Sequence, residues 1–195
     1  MLAAVILSGG ASRRMGSPKA LLPYQGQSFL EHLLQITVHE KIGVRRVVLG
    51  ADAEPIANAV KLRNEEVVLN EDWERGQLSS IQAALRTLPP DSDGMLLCLV
   101  DHPLISANLV DSLIAAFYSS KSLIVLPAYE GRRGHPVIFS SALYAELLAA
   151  PLDKGARAVV WSHASDIAEV QTDEQGCLLN LNDVDALAKF QSKLF

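Results

Sequence analysis

Six short apolar runs punctuate the chain, at 3–7, 47–49, 67–69, 95–100, 123–126 and 136–139, and segments with helical periodicity separate them. Four of the runs carry essentially no apolar–polar alternation, so both of their faces are covered; that is the mark of parallel strands packed between two layers of helices. Helices are expected at 54–62, 77–87, 107–118, 142–149, 155–161 and 183–192. An earlier one opens on Ser28-Phe-Leu-Glu31, a capping box in which serine and glutamate satisfy each other's orphan amide donors, with Leu30, Leu33, Leu34 and Val38 as its apolar face. The pattern predicts a three-layer α/β/α, Rossmann-like architecture around a mostly parallel sheet.

A chain of 195 residues without an internal repeat, a low-complexity tract or a Pro/Gly/Ser linker is expected to close one core, so residues 1–195 are read as a single domain. Seventeen basic against 22 acidic side chains leave a net charge of −5, which repels a nucleic-acid backbone. No apolar run approaches the roughly 20 residues that span a bilayer, and no signal peptide is evident, so neither nucleic acid nor membrane is an expected partner. Cys98 lies inside an apolar run and reads as a small buried hydrophobe; with two cysteines in all, a reducing cytoplasm is the expected setting.

Positive charge is nevertheless concentrated locally. Arg13, Arg14 and Lys19 fall within seven positions directly after the first apolar run, and Arg132 and Arg133 are adjacent. In open α/β sheets ligands sit beyond the carboxyl ends of the strands, which directs attention to Ser8, Asn70 and Asp101 onward. Gly9 and Gly10 allow the backbone to approach a ligand with its amides exposed, and an arginine fork with a lysine point charge is the usual pair for a polyphosphate. The spacing matches neither Gly-x-Gly-x-x-Gly nor Gly-x-x-x-x-Gly-Lys-[Ser/Thr], so neither a dinucleotide fold nor a P-loop follows.

As it stands, Leu7-Ser-Gly-Gly-Ala-Ser-Arg-Arg-Met-Gly-Ser-Pro-Lys19 resembles the signature of the MobA-like nucleotidyltransferases, with Ser8 where alanine is usual. Asn70-x-x-Trp73-x-x-Gly76-x-x-x-Ser80, Asp101-x-Pro103, Gly134-His135-Pro136 and Asp153-Lys-Gly155-Ala-Arg157 resemble later family blocks, in the same order. The resemblance implies a nucleotidyltransferase fold of the nucleotide-diphospho-sugar transferase type and transfer of a nucleoside monophosphate from an NTP to molybdenum cofactor. It places Leu7, Ser8, Gly9, Gly10, Arg14, Lys19, Gly76, Ser80 and Asp101 at the nucleotide, with Arg14, Lys19 and Asp101 catalytic. Mg²⁺ would be held by Asp101, with Asn182 as a second ligand. Arg132, Arg133, Gly134 and His135 would bind a molybdopterin-type acceptor, with Arg157 a further candidate.

The last two blocks resemble the MocA-like, CTP-using branch, whereas Gly9 at the third loop position votes for GTP; CTP is the first expectation. Other phosphorylated acceptors (a sugar phosphate or phospholactate) share the same loop and metal. A non-turning-over nucleotide-binding partner in molybdoenzyme maturation, working with a client enzyme or its chaperone, is the reading from another class. Trp73 is expected in the core, and His32, His39 and His163 read as ordinary helix residues.

Overall fold

The computed structural model describes residues 1–11 and 17–181. The chain enters the middle of the sheet at once. β1 (Leu2–Ser8) is buried over all seven residues, as an unalternating apolar run requires. A small hairpin of β2 (Pro23–Tyr24) and β3 (Gln27–Ser28) leads into α1 (Phe29–Ile36). The expected capping box starts that helix, with Ser28 Oγ accepting from Glu31 N and the Glu31 carboxylate accepting from Ser28 N. β4 (Ile42–Leu49), α2 (Ala53–Val60), β5 (Val67–Leu69), α3 (Gln77–Leu85) and β6 (Gly94–Leu99) complete the first half. α4 (Ala107–Ser119), β7 (Ile124–Tyr129), β8 (Arg132–Arg133), β9 (Val137–Ser140), α5 (Tyr144–Ala149), α6 (Arg157–Ser162) and β10 (Ile167–Gln171) follow.

The main sheet runs β10-β7-β9-β6-β1-β4-β5, with β8 paired to β7 off that path. β1 lies parallel to β4 on one side (Ser8 opposite Leu49) and to β6 on the other (Leu7 opposite Leu99). β9 is antiparallel to both of its neighbours, which makes the sheet mostly rather than wholly parallel. Strand order reverses between β1 and β6, so their carboxyl ends form the switch point at which such sheets leave a crevice.

Successive side chains of β1 feed two apolar layers. Leu2 and Ile6 pack with α1, α2 and α4 through Phe29, Leu33, Ile56 and Leu113. Val5 and Leu7 pack with α3, α5 and α6 through Leu78, Ile81, Leu147 and Val159. The α/β/α layering expected from the runs is thus present. Cys98 is fully buried, its thiol pushed up to about 12 by that burial, and Cys177 is likewise a buried free thiol. No helix among the described residues is long and apolar enough to cross a membrane.

Several local expectations are corrected. β4 begins at Ile42 rather than 47, because Arg45 and Arg46 occupy half-buried strand positions and break the apolar run. β10 was not expected: half-buried at Ile167, Ala168 and Val170 and exposed at Glu169 and Gln171, it pairs with β7 alone among the described residues. Val38 lies beyond the end of α1 and is 72% exposed, its expected place on the apolar face taken by Phe29 and Ile36. His32 is no ordinary surface histidine, since it is buried with Nε2 2.9 Å from the Ile105 carbonyl oxygen. The helix expected at 183–192 lies outside the described residues.

Candidate functional site

At the switch point the ends of β1 and β6 are tied together. Val100 N donates to Leu7 O (3.1 Å), and Ala51 N donates to Gly9 O (3.2 Å), so the loop leaves the sheet in a fixed direction. A cavity of about 350 Å³ opens there, lined by Leu7, Ser8, Gly9 and Gly10 from the loop and by Lys19, Gly76, Ser80 and Asp101 from three other segments. Every residue expected at the nucleotide, apart from Arg14, therefore converges on one space. Arg14 and Asn182 lie outside the described residues.

Gly9 and Gly10 serve this space in a way the sequence does not reveal. Neither has a positive φ, so the turn does not demand glycine. A Cβ on Gly9 would stand 3.1 Å from Ser80 Oγ, whereas one on Gly10 would meet nothing within 4 Å among the described residues.

Lys19 sits on a single 3₁₀ turn after Pro18 and carries its ammonium 3.8 Å from Asp101 Oδ2, the two side chains 16% and 24% exposed. That separation exceeds hydrogen-bond length but is within ion-pair distance, and both residues line the cavity. Asp101 follows β6 by two residues, and its carbonyl accepts from Leu181 N at 2.8 Å. No group of three or more His, Cys, Asp or Glu among the described residues is arranged to hold a metal. The half-buried Asp101 carboxylate still fits Mg²⁺, which is commonly bound through one or two carboxylates together with substrate phosphates.

Trp73 is half-buried and forms part of the cavity wall, not of the core. Gly50 makes room for it, since a Cβ there would lie 2.6 Å from Trp73 Cβ and Cγ. Asn70, which received no role from the sequence, is buried beneath the wall and holds Ser79 and Ser80. The sequence marked its position, directly after an apolar run, but its burial and its bonds to the two serines are not visible in a motif.

A second cavity of about 460 Å³ adjoins the first at Gln77, which lines both. Arg133, Gly134 and His135 of the expected acceptor set line it, as do Lys154 and Arg157; Arg132 is exposed on β8 and does not. Arg133 is steadied by Glu169 on β10, with Nε 2.7 Å from Oε1. The inner wall is apolar, from Leu78, Leu97, Leu126, Val137 and Phe139. His135 Nδ1 is buried without a partner among the described residues, and its ring lies 4.9 Å from that of His102, whose Nδ1 is also orphaned. Burial, reinforced by His102, pushes His135 down to about 4, so it is neutral at physiological pH. Burial likewise lowers His102, against the pull of Asp101.

A model of the MobA-like NTP transferase domain matches residues 4–167. The chain belongs to the MobA-like NTP transferase family. Among MobA-like relatives it is 29% identical to the molybdenum cofactor guanylyltransferase of Histophilus somni over 196 residues, covering 98% of this chain and 96% of that one. It is 34% identical over 157 residues to the nicotine blue oxidoreductase of Paenarthrobacter nicotinovorans, covering 71% of each. The solved structure of Rv0371c from Mycobacterium tuberculosis superposes with a TM-score of 0.83 at 28% identity, over 98% of both chains. The same protein has been solved in complex with manganese, at a TM-score of 0.77, 26% identity and 98% coverage of both chains. The α/β layering expected from the apolar runs, and the MobA-like family that the loop resemblance implied, agree with these neighbours.

Proposed function

We propose that the protein transfers a nucleoside monophosphate from an NTP to a molybdopterin-type acceptor, working as one domain over residues 1–195 in the cytoplasm. The observation that carries this reading is the adjacency of two cavities at Gln77, one beside a glycine loop with Lys19 and Asp101, the other with a cationic rim and an apolar interior. The first suits a triphosphate and its base. The second suits an acceptor with a flat apolar body, buried against Leu97 and Phe139, and a phosphate met by Arg133, Lys154 and Arg157. A sugar phosphate would lay hydroxyls on that apolar wall, which favours the pterin-type acceptor over the sugar-phosphate and phospholactate alternatives.

In this reading an oxygen of the acceptor phosphate attacks the α-phosphorus in line, the bond from that phosphorus to the β-bridging oxygen breaks, and pyrophosphate leaves. The loop at Gly9 and Gly10 positions the β and γ groups, and Lys19, with Arg14, offsets the charge that builds on the leaving oxygen. Asp101, with Asn182 as the expected second ligand, would hold a Mg²⁺ ion, which when bound adds charge neutralisation at the phosphates. The named guanylyltransferase relative and Gly9 support GTP as donor, while the blocks at 134–136 and 153–157 support CTP.

Pyrophosphate release is the measurement, made with each of four NTPs, with and without molybdenum cofactor, Mg²⁺ and Mn²⁺. Release that needs cofactor and one of GTP or CTP is expected. Lys19→Ala and Asp101→Ala should each lower turnover about 10²-fold with the fold intact. Variants turning over at the parent rate, or no release with any NTP, would overturn the assignment; NTP binding without release would leave the maturation-partner reading standing. The 34% identity to an oxidoreductase favours a second reading, reduction of an organic dye in the apolar cavity. Incubation with NADH or NADPH and nicotine blue tests it, since both cysteines are buried and an external electron donor is required.

A further inference from the structure

Beneath the nucleotide cavity lies a closed hydrogen-bond network that the catalytic reading leaves without a purpose. Asn70 directs Nδ2 to Ser79 Oγ and to Ser80 Oγ, each at 2.9 Å, and its Oδ1 accepts from the backbone N of Asp72 at 3.1 Å. All three side chains are buried. The amide orientation is not arbitrary: the Asp72 N–H can only donate, so it fixes Oδ1 on its own side and commits both amide hydrogens to the serines.

The two serines then differ. Ser79 Oγ passes its hydrogen to the carbonyls of Asp72 (2.9 Å) and Gly76 (2.8 Å), which closes its valence inside the protein. Ser80 Oγ receives from Asn70 and lines the cavity, and its own hydrogen has no acceptor among the described residues. A hydroxyl that already accepts from a fixed amide presents its remaining hydrogen outward.

We propose that Asn70 is a specificity-determining positioning residue: it makes Ser80 a hydrogen-bond donor toward the bound nucleotide, so the base must turn an acceptor, a ring nitrogen or carbonyl oxygen, to that wall. Asn70 acts through Ser80 and does not itself line the cavity. The inference rests on the nucleotide reading of the first cavity, and its test is separable from it.

Asn70→Asp is close to isosteric and reverses the network, because a carboxylate accepts where the amide donated and draws the Ser80 hydrogen inward. Steady-state kinetics with GTP and CTP, or direct binding of each where turnover is slow, should show KM or Kd rising about tenfold, the size of one buried hydrogen bond. Ser80→Ala should show a similar rise, and the Asn70→Asp/Ser80→Ala double variant should be no worse than Ser80→Ala alone. Ser79→Ala is the control for a merely structural role, lowering the melting temperature without moving KM. If Asn70→Asp does not yield folded protein, Asn70→Ser, which removes both amide hydrogens, carries the same comparison. Unchanged nucleotide affinity in a folded Asn70 variant, or full additivity in the double variant, overturns the proposal. Failure of the parent to bind any NTP overturns instead the nucleotide reading on which it stands.

Discussion

Gly10 and Gly76 both line the nucleotide-sized cavity, and they are glycine for different reasons. Gly76 precedes α3 with φ 98° and ψ 176°, a region in which an L side chain is strained by about 1–3 kcal/mol. Gly10 is unstrained, and its missing Cβ borders open space among the described residues. Gly76→Ala should therefore lower stability by that amount in a denaturant titration. Gly10→Ala should leave the denaturation midpoint where it is and weaken NTP binding, since the new methyl enters the room the ligand needs. A Gly10→Ala protein that binds nucleotide as well as the parent would remove the loop from the binding site. These glycines were legible in the sequence, but which of them backbone geometry requires was not, because φ and neighbouring volume are set by residues far along the chain.

Each element shows how local and distant causes divide. α1 starts where its sequence says it must, because both bonds of the capping box span three residues and need no tertiary partner. Ser28→Ala should cost about 1 kcal/mol, which thermal unfolding would register as a drop of roughly 2–4 °C for a chain of this size. β10 is the opposite case. Its half-buried residues meet β7 along one edge and carry no continuous apolar run, so nothing local distinguishes it from a surface segment. The exit of β1 depends on Gly50, where a Cβ would come within 2.6 Å of Gly9 O and Trp73 alike. Gly50→Ala should both destabilise the protein and reduce NTP binding, with thermal unfolding and nucleotide titration as the paired measurements; a folded variant of parental stability would show that this packing has slack.

At the scale of the molecule, Glu66 ties separate parts of the chain together. Its Oε1 lies 2.9 Å from both Arg63 Nη2 and Arg45 Nη2, and Arg45 also donates to Leu34 O in α1. Hydrogen bonding from Arg63, joined by the nearby Arg45 charge and opposed by burial, holds the Glu66 carboxyl at about 2. A carboxyl depressed in the folded state binds its proton more readily when unfolded, so its stabilisation is complete above the ordinary glutamate value near 4.3. That stabilisation is lost as pH falls through about 2. Glu66→Gln should therefore be less stable than the parent at neutral pH, on the order of a few kcal/mol, with the difference shrinking between pH 4.5 and 2. Chemical denaturation at stepped pH reads this directly, and a gap that stays constant down to pH 2 would show that the carboxylate charge is not what Glu66 contributes.

The sequence by itself determined the layer architecture and which residues gather at the switch-point cavity. Unalternating runs such as Ala3 to Leu7 can only be buried on both faces, and the residues just after them can only emerge at the ligand edge of the sheet. The tertiary structure alone decided what those residues do together. Lys19 reaches Asp101 across 82 positions, Gln77 joins two cavities, and Trp73 leaves the core because Gly50 admits it to the wall. Backbone preference and hydrophobic period act over a few residues and can be read in order, whereas distance, enclosed volume and the direction of a hydroxyl hydrogen exist only once strands remote in sequence have paired.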